Sequence, residues 1–433
     1  MIEKKVPNGV VETIKNNTMT TLSASTFNNR DYSIQEFKNG WHQLIIIGNG
    51  FDKACTLKSG YEDFFRTRKL DLYPDVADIE NSEFNTWGEY VSSKGITVWD
   101  IILQEFSDVV LWNDIEKAIE KWLVEKSDIN PRSDSFARTM SLLNLDYPSD
   151  IQDKDRHKTN WPSYENRDKR SYREMTIAQF ILENTGGKQS KWTETKLSNY
   201  LLSELHRFED EFSSYLTKEM EGNAEYETKS AALILDLIAE KFPKLEDNDV
   251  LVSFLNFNYT TPRLPKLSGV EIEMTNIHGQ LGNEVVFGID GKDCMDEGLA
   301  VRFTKTYRLL GLHTTENNRL FDSVGSFSRG APLDVIKVFG HSLASPDYSY
   351  FQAIFDSVNL YSSDVKLIFY YRNHREDNQA ETTAFNNVTQ LLNAYGLTMD
   401  NQDHGKNLMH KLLLEGRLTV KELTHVTTRY DNE

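Results

Sequence analysis

Leu44-Ile45-Ile46-Ile47-Gly48-Asn49-Gly50-Phe51-Asp52 is a short apolar run, rich in β-branched residues, that stops at a Gly-x-Gly. Four successive apolar residues without polar alternation describe a strand covered on both faces, as in a parallel sheet. The glycines permit a tight turn and a close backbone approach, and the helical turn that follows offers N–H groups to an anion. The stretch predicts a buried strand that delivers its carboxyl end to a phosphate-bearing ligand. It is incomplete as a hydride-transfer dinucleotide fingerprint, because Lys53 stands where a third glycine belongs.

Outward from this strand, Lys53 to Arg68 reads as a turn and then a helix, and helical spacing continues from Trp99 to Leu123. From Asp146 to Glu174 the pattern gives way to charge, which predicts a solvated loop or insertion. Leu197, Leu201, Leu205, Phe208, Phe212 and Tyr215 restore a helical stripe, followed by another through Ala231 to Ile238. Strand signals resume at Val250 to Phe257. They recur at Glu273 to Ile277, Val285 to Ile289, Val335 to Phe339 and Val365 to Tyr371, with Leu418 to Leu423 as an edge strand. The expected class is α/β: a Rossmann-like, largely parallel sheet flanked by helices, with a helical insertion. The boundaries read as a polar N-terminal tail over 1–40, a core over 41–110 and 248–433, and an insertion over 111–247.

The chain has 433 residues, 39% hydrophobic and 11% aromatic, which describes a globular protein with a substantial core. No apolar run approaches the roughly 20 residues that span a bilayer, and the first forty residues lack a signal-peptide core. A cytoplasmic protein is expected. Two cysteines, Cys55 and Cys294, are too few for a disulfide framework or a four-thiolate zinc site. A net charge of -18 argues against a nucleic-acid footprint, which needs clustered Lys and Arg.

Beyond the opening turn, three motifs carry chemistry. In Phe257-Asn258-Tyr259-Thr260 an amide at a strand end can orient a sugar hydroxyl or a water, or simply close the strand as an Asx-turn. In Asn276-Ile277-His278-Gly279 a histidine beside a glycine is placed to take a proton near neutral pH, or is satisfied by a backbone carbonyl. Gly340-His341-Ser342-Leu343-Ala344 follows a strand in the manner of a nucleophile elbow. That opens a serine-hydrolase reading on Ser342, with His404, His410 or His425 as partner.

The four motifs in this order resemble the AbiH family of bacterial phage-defence (abortive infection) proteins. The residues that carry the likeness are IIIGNGFD with LKSGYEDFF, then FNYTT, IHGQL with FGID, and FGHSLASPDYSYF. AbiH in turn resembles the sirtuin-like NAD-consuming enzymes. Gly48, Gly50, Ser59, Gly60, Asp63 and Phe64 stand at positions matching the sirtuin Gly-Ala-Gly and Ser-Gly-Ile-Pro-Asp-Phe-Arg elements. Phe257-Asn258-Tyr259-Thr260 looks like the sirtuin Gln-Asn-Ile-Asp, His278-Gly279 like the catalytic His-Gly, and Gly340-His341-Ser342 like the Gly-Thr-Ser that meets the adenosine ribose. Asp52, Asn49 and Phe65 depart from that pattern, and the four-cysteine zinc module is absent.

The resemblance implies an anti-phage effector that holds NAD as its substrate, with no metal expected, and hydrolyses the nicotinamide–ribose bond. It gives Asn258 the orienting of water or ribose hydroxyls and His278 the role of general base. It gives Gly48, Asn49 and Gly50, with Phe51, the diphosphate cradle. Asp52 and Asp63 would steer the nicotinamide ribose or stabilise the developing cation, and Gly340, His341 and Ser342 would line the adenosine side. A phage or host trigger protein and self-assembly are the expected partners. A non-catalytic NAD or ADP-ribose sensor is the second reading, and the serine hydrolase the third.

Overall fold

The computed structural model describes residues 41–103, 113–124, 135–145, 170–186, 191–240, 250–290, 300–313, 333–373 and 379–423. The expected N-terminal tail and most of the expected charged loop (146–169) lie outside the described residues, as do Cys294 and His425. The described residues divide into two compact units. One comprises the chain up to Leu57, Gly222–Ile277 and the chain from Glu316 onward; the other comprises Lys58–Glu221 and His278–Thr315. The divisions fall at 57/58, 221/222, 277/278 and 315/316.

The first unit is built on six parallel strands: β1 (Trp41–Ile47), β2 (Val250–Asn256), β3 (Val270–Asn276), β4 (Val335–Phe339), β5 (Lys366–Tyr371) and β6 (Leu418–Glu422). Their order is β3-β2-β1-β4-β5-β6, the doubly wound arrangement of a Rossmann-like sheet. The apolar run that predicted β1 is covered on both faces: Ile45, Ile46 and Ile47 are fully buried between β2 and β4. Ile47 pairs with Asn256 of β2 and Phe339 of β4, which brings three strand ends level. Asn256 pairs in turn with Asn276, the last residue of β3.

Alternate residues choose their face. Leu44, Ile46, Ile336 and Val338 pack with Phe351 and Phe355 of α12 (Tyr348–Ser357), Leu391 of α13 (Gln379–Thr398) and Leu412 of α14 (Gln402–Leu414). Lys337 lies between those β4 residues and is 1% exposed. Its ammonium donates to the carbonyls of Leu237 (2.7 Å), Ile238 (3.3 Å) and Glu240 (2.6 Å). These close the carboxyl end of α10 (Ala224–Ala239), the segment whose stripe the sequence pattern placed in the insertion.

The second unit is helical. It runs α2 (Tyr61–Leu72), α3 (Val76–Glu80), α4 (Trp87–Ser93), α5 (Val98–Leu103), α6 (Asn113–Val124), α7 (Ser135–Asn144), α8 (Arg170–Asn184) and α9 (Glu194–Met220), with α11 (Lys305–His313). The α9 stripe is core: Phe208 and Phe212 meet Phe64 edge-on at 5.7 and 5.1 Å. Two expectations are corrected here. Arg170 to Glu174 is the first turn of α8, with Glu174 buried, where a solvated loop was expected. Val285 to Ile289 is no sheet strand. Its apolar residues are buried, but its backbone is met singly, Val286 N–H by the His278 carbonyl at 3.0 Å and Phe287 N–H by the Glu209 carboxylate at 2.6 Å. Burial against α9, and not a ladder, explains the run. A lone apolar run carries no periodicity that separates the two cases.

Candidate functional site

The strand order reverses between β1 and β4: the chain leaves β1 towards β2 and β3, and leaves β4 towards β5 and β6. Ligands of open parallel sheets bind outside the carboxyl ends at such a reversal. The residues there are Gly48-Asn49-Gly50 after β1 and Gly340-His341-Ser342 after β4. The Gly50 N–H donates to the Gly340 carbonyl at 2.7 Å, and the Gly48 N–H to the Phe339 carbonyl at 3.2 Å. A Cβ on Gly50 would lie 2.7 Å from the Gly340 Cα, and one on Gly340, at φ +72°, would lie 2.3 Å from the Phe51 nitrogen. The glycines thus let two turns pack backbone to backbone at the switch point.

That contact corrects the basis of the expected cradle. The N–H groups of Gly48 and Gly50 are spent on β4 and its turn, and the Phe51 N–H donates to the Gly48 carbonyl at 2.8 Å. Phe51 itself is fully buried, in the first turn of the short helix α1 (Asn49–Ala54). The space a side chain would take at each glycine is filled by the opposite turn, and those three amides are occupied.

His341 is a loop-former. Its Nδ1 accepts from the Leu343 N–H at 2.9 Å, which puts the proton on Nε2, 3.3 Å from the Asp347 carboxylate. The ring lies edge-on to Phe257 at 4.4 Å. These bonds hold Leu343 at φ +55°, a conformation costly for a β-carbon residue. Ser342 is exposed, and its carbonyl accepts from Asn387 Nδ2 at 3.0 Å. Among the described residues no histidine hydrogen-bonds to its hydroxyl: His341 is committed to Leu343 and Asp347, and His404 stacks on Tyr361 at 4.0 Å.

Asn258 is 5% exposed and donates through Nδ2 to the Gly48 carbonyl at 3.1 Å. Since a carbonyl accepts only, this bond fixes which end of the amide is nitrogen. Its Oδ1 makes no hydrogen bond among the described residues. The Asx-turn that closes β2 is made by Asn256, whose Oδ1 accepts from the Asn258 N–H at 2.9 Å. The Asn258 side chain is thereby released from the plain structural role that its motif allowed.

Asp52, on α1, is 1% exposed, and its two oxygens accept from Tyr226 Oη at 2.9 Å and Thr260 Oγ1 at 2.7 Å. Burial pushes its carboxyl up to about 6 from 3.8, against the lowering effect of the two hydroxyls. A carboxyl raised in the folded state favours folding most when protonated. Its contribution is therefore complete below pH 3.8 and is lost as pH rises through about 6. The displacement from 3.8 to about 6 is worth about 3 kcal/mol. Asp52→Asn should remove this slope: in urea denaturation, the variant's stability relative to wild type should rise by up to that amount between pH 4 and pH 7.5. An unchanged difference across that range would mean that Asp52 titrates normally in the fold.

The nearby Cys55 thiol is pushed up to about 12 by burial and by the charge of Asp52. It should resist iodoacetamide at pH 8 in the folded protein and react only on unfolding, as mass spectrometry of the Cys55 peptide would show.

His278 and Asp63 belong to the second unit. His278 is 2% exposed, and Gly279 after it (φ +88°) bridges antiparallel to Val285, where a Cβ would fall 1.9 Å from the Glu284 carbonyl. Asp63 is half-buried on α2, 3.8 Å from the exposed Arg66. Phe65 is a core residue against Tyr61 at 5.6 Å. Glu209 is bound by Arg308 and the Phe287 N–H, and burial pushes it up to about 7. Among the described residues no cluster of three or more His, Cys, Asp or Glu is placed to hold a metal ion, and no helix is long and apolar enough to cross a membrane.

Four residues that shape this region went unassigned in the sequence. Asn256, Thr260 and Asn276 lie inside quoted strands and motifs, and only pairing reveals their partners. Tyr226 is 174 residues from Asp52 and carries no local signal.

No curated protein and no solved structure gives a significant match to the chain. The profile for bacteriophage abortive infection AbiH matches residues 44–371, most of the chain and all four motif regions. With that match over a parallel sheet whose strand ends carry the motifs, the chain belongs to the AbiH family of bacteriophage abortive-infection proteins.

Proposed function

We propose that this protein acts in abortive infection by binding a nicotinamide dinucleotide at the β1/β4 switch point and cleaving its nicotinamide–ribose bond. The role in phage abortive infection follows from the family. The chemistry draws its support from one observation above all, the Asn258 amide held through Nδ2 on the Gly48 carbonyl beside the sheet reversal, with no hydrogen bond to Oδ1 among the described residues. The likeness of the motifs to NAD-consuming enzymes points the same way.

In this hydrolysis a water oxygen bonds to ribose C1′ as the C1′–N bond breaks. The electron pair leaves with nicotinamide, neutralising its ring, and the water proton passes to a base. The transition state carries oxocarbenium character, so the site needs preorganised polar groups more than a strong nucleophile. Asn258 Oδ1 accepts from the attacking water or a ribose hydroxyl. The motif likeness gives His278 the base role, and substitution tests it independently.

The test is mass spectrometry of small metabolites in cells carrying the wild-type protein, with and without phage, beside purified protein given NAD. Nicotinamide should accumulate as NAD falls upon infection. A second reading, a sensor without turnover, gains from the enclosure of Asp52, whose two oxygens are taken by Tyr226 and Thr260. Saturable ADP-ribose binding with steady NAD throughout infection would favour it and end the hydrolase.

A further inference from the structure

The turn that carries Asn258 is held by two other asparagines. Asn256 spans it: Oδ1 accepts from the Asn258 N–H at 2.9 Å, and Nδ2 donates to the Thr260 carbonyl at 2.7 Å. Asn276, its register partner on β3, donates through Nδ2 to the Asn258 carbonyl at 2.8 Å and the Thr260 carbonyl at 2.9 Å. Both lone pairs of the Thr260 carbonyl are thereby used. Asn276 Oδ1 accepts from Thr261 Oγ1 at 3.3 Å. On its far side the Thr260 hydroxyl donates to Asp52, four residues beyond Gly48, whose carbonyl takes the Asn258 amide.

Closing a strand requires one Asx-turn, and Asn256 supplies it. Asn276 adds two more bonds to the same turn, in a region where Asn256 and Thr260 are fully buried. Buried amides are costly unless every donor is met, so a network this complete fixes one conformation of the turn. What that conformation sets is the direction of the Asn258 side chain.

We propose that Asn256 and Asn276 are positioning residues, a pair of carboxamides at the ends of β2 and β3 that fixes the Asn258 amide for the reacting nucleotide, with Asp52 bracing the turn through Thr260. The inference rests on the reading of Asn258 given under the proposed function. Neither asparagine touches the substrate; both act through the turn.

The test uses the full chain with Asn276→Ala, which deletes its two bonds to the turn's carbonyls and the one from Thr261. A second variant, Asn256→Asp, keeps the Asx-turn acceptor, loses the donor to Thr260 and Met274, and sets a buried carboxylate oxygen against the Thr260 carbonyl. Misplacement of a reacting group by about 1 Å costs on the order of 100-fold. The expected result is a fall in kcat for nicotinamide release of about 10- to 100-fold, with KM for NAD nearly unchanged. Hydrogen exchange should quicken in the 257–261 peptide while β1 and β4 keep their protection. Unchanged exchange there, an unchanged kcat, or exchange and KM changing across the whole molecule would overturn the inference. If the wild type releases no nicotinamide, the hydrolase reading fails, and phage plaque counts decide the positioning role. Variants with altered exchange that still protect like wild type overturn it; loss of protection equal to that of Asn258→Ala upholds it.

Discussion

Asn258→Ala is expected to lower nicotinamide release by at least about 100-fold, the scale on which a single oriented polar group acts in a transition state. The protein should remain folded. The substitution deletes one hydrogen bond, Nδ2 to the Gly48 carbonyl at 3.1 Å, worth about 1 kcal/mol. In a chain of this size that lowers the melting temperature by only about 1 °C. The turn keeps its shape, because Asn256 and Asn276 bind its backbone and not the Asn258 side chain. Asn258→Asp separates the two ends of the amide. It retains an oxygen for the ribose but sets a carboxylate oxygen against the Gly48 carbonyl, so it should cost more stability than alanine. Turnover by Asn258→Ala at the parental rate would remove Asn258 from the reaction. His278→Ala, assayed alongside, should also abolish release; a parental rate there would leave the base unassigned without touching Asn258.

The sheet was legible because double burial leaves a local trace: Leu44 to Ile47, Val250 to Phe257 and Val335 to Phe339 all read as apolar runs, and all became parallel strands. The same trace misled at Val285 to Ile289, where a buried segment leans on the Glu209 carboxylate instead of a neighbouring strand. Strand ends were legible as glycine, asparagine and histidine motifs. Their work was only partly so, since it depends on pairings across the chain. Gly50 looked like a ligand turn, and what makes a side chain impossible there is Gly340, 290 positions later. His341 sat in an elbow-like motif, yet both of its ring nitrogens serve Leu343 and Asp347. Asn258 read more readily as an Asx-turn than as a site, until Asn256 proved to hold that turn.

Lys337→Met should be among the most destabilising single substitutions in the first unit, costing about 3–5 kcal/mol through the carbonyls it strands. Lysine at the centre of Val335-Ile336-Lys337-Val338-Phe339 breaks an otherwise apolar strand, paired with Ile45 on one side and Ile368 on the other. A buried ammonium persists only where its donors are met, and here the carbonyls of Leu237, Ile238 and Glu240 meet all three. Those carbonyls end α10 and have no further turn to accept, while the positive charge faces the negative end of the helix. Methionine fills similar volume but donates nothing. Each stranded carbonyl then costs about 1–3 kcal/mol, moderated where water reaches the helix end. Gln43 Nε2, 3.4 Å from the Ile238 carbonyl, can replace one donor at most. Urea denaturation should show the midpoint falling with an unchanged slope, because the same surface unfolds. A loss below about 1 kcal/mol would mean that the carbonyls find other donors and that the ammonium is dispensable. Because β4 leads into Gly340, the effect should reach the switch point: a variant folded at 20 °C but largely unfolded at 37 °C should protect against phage only at the lower temperature, whatever reaction the site performs.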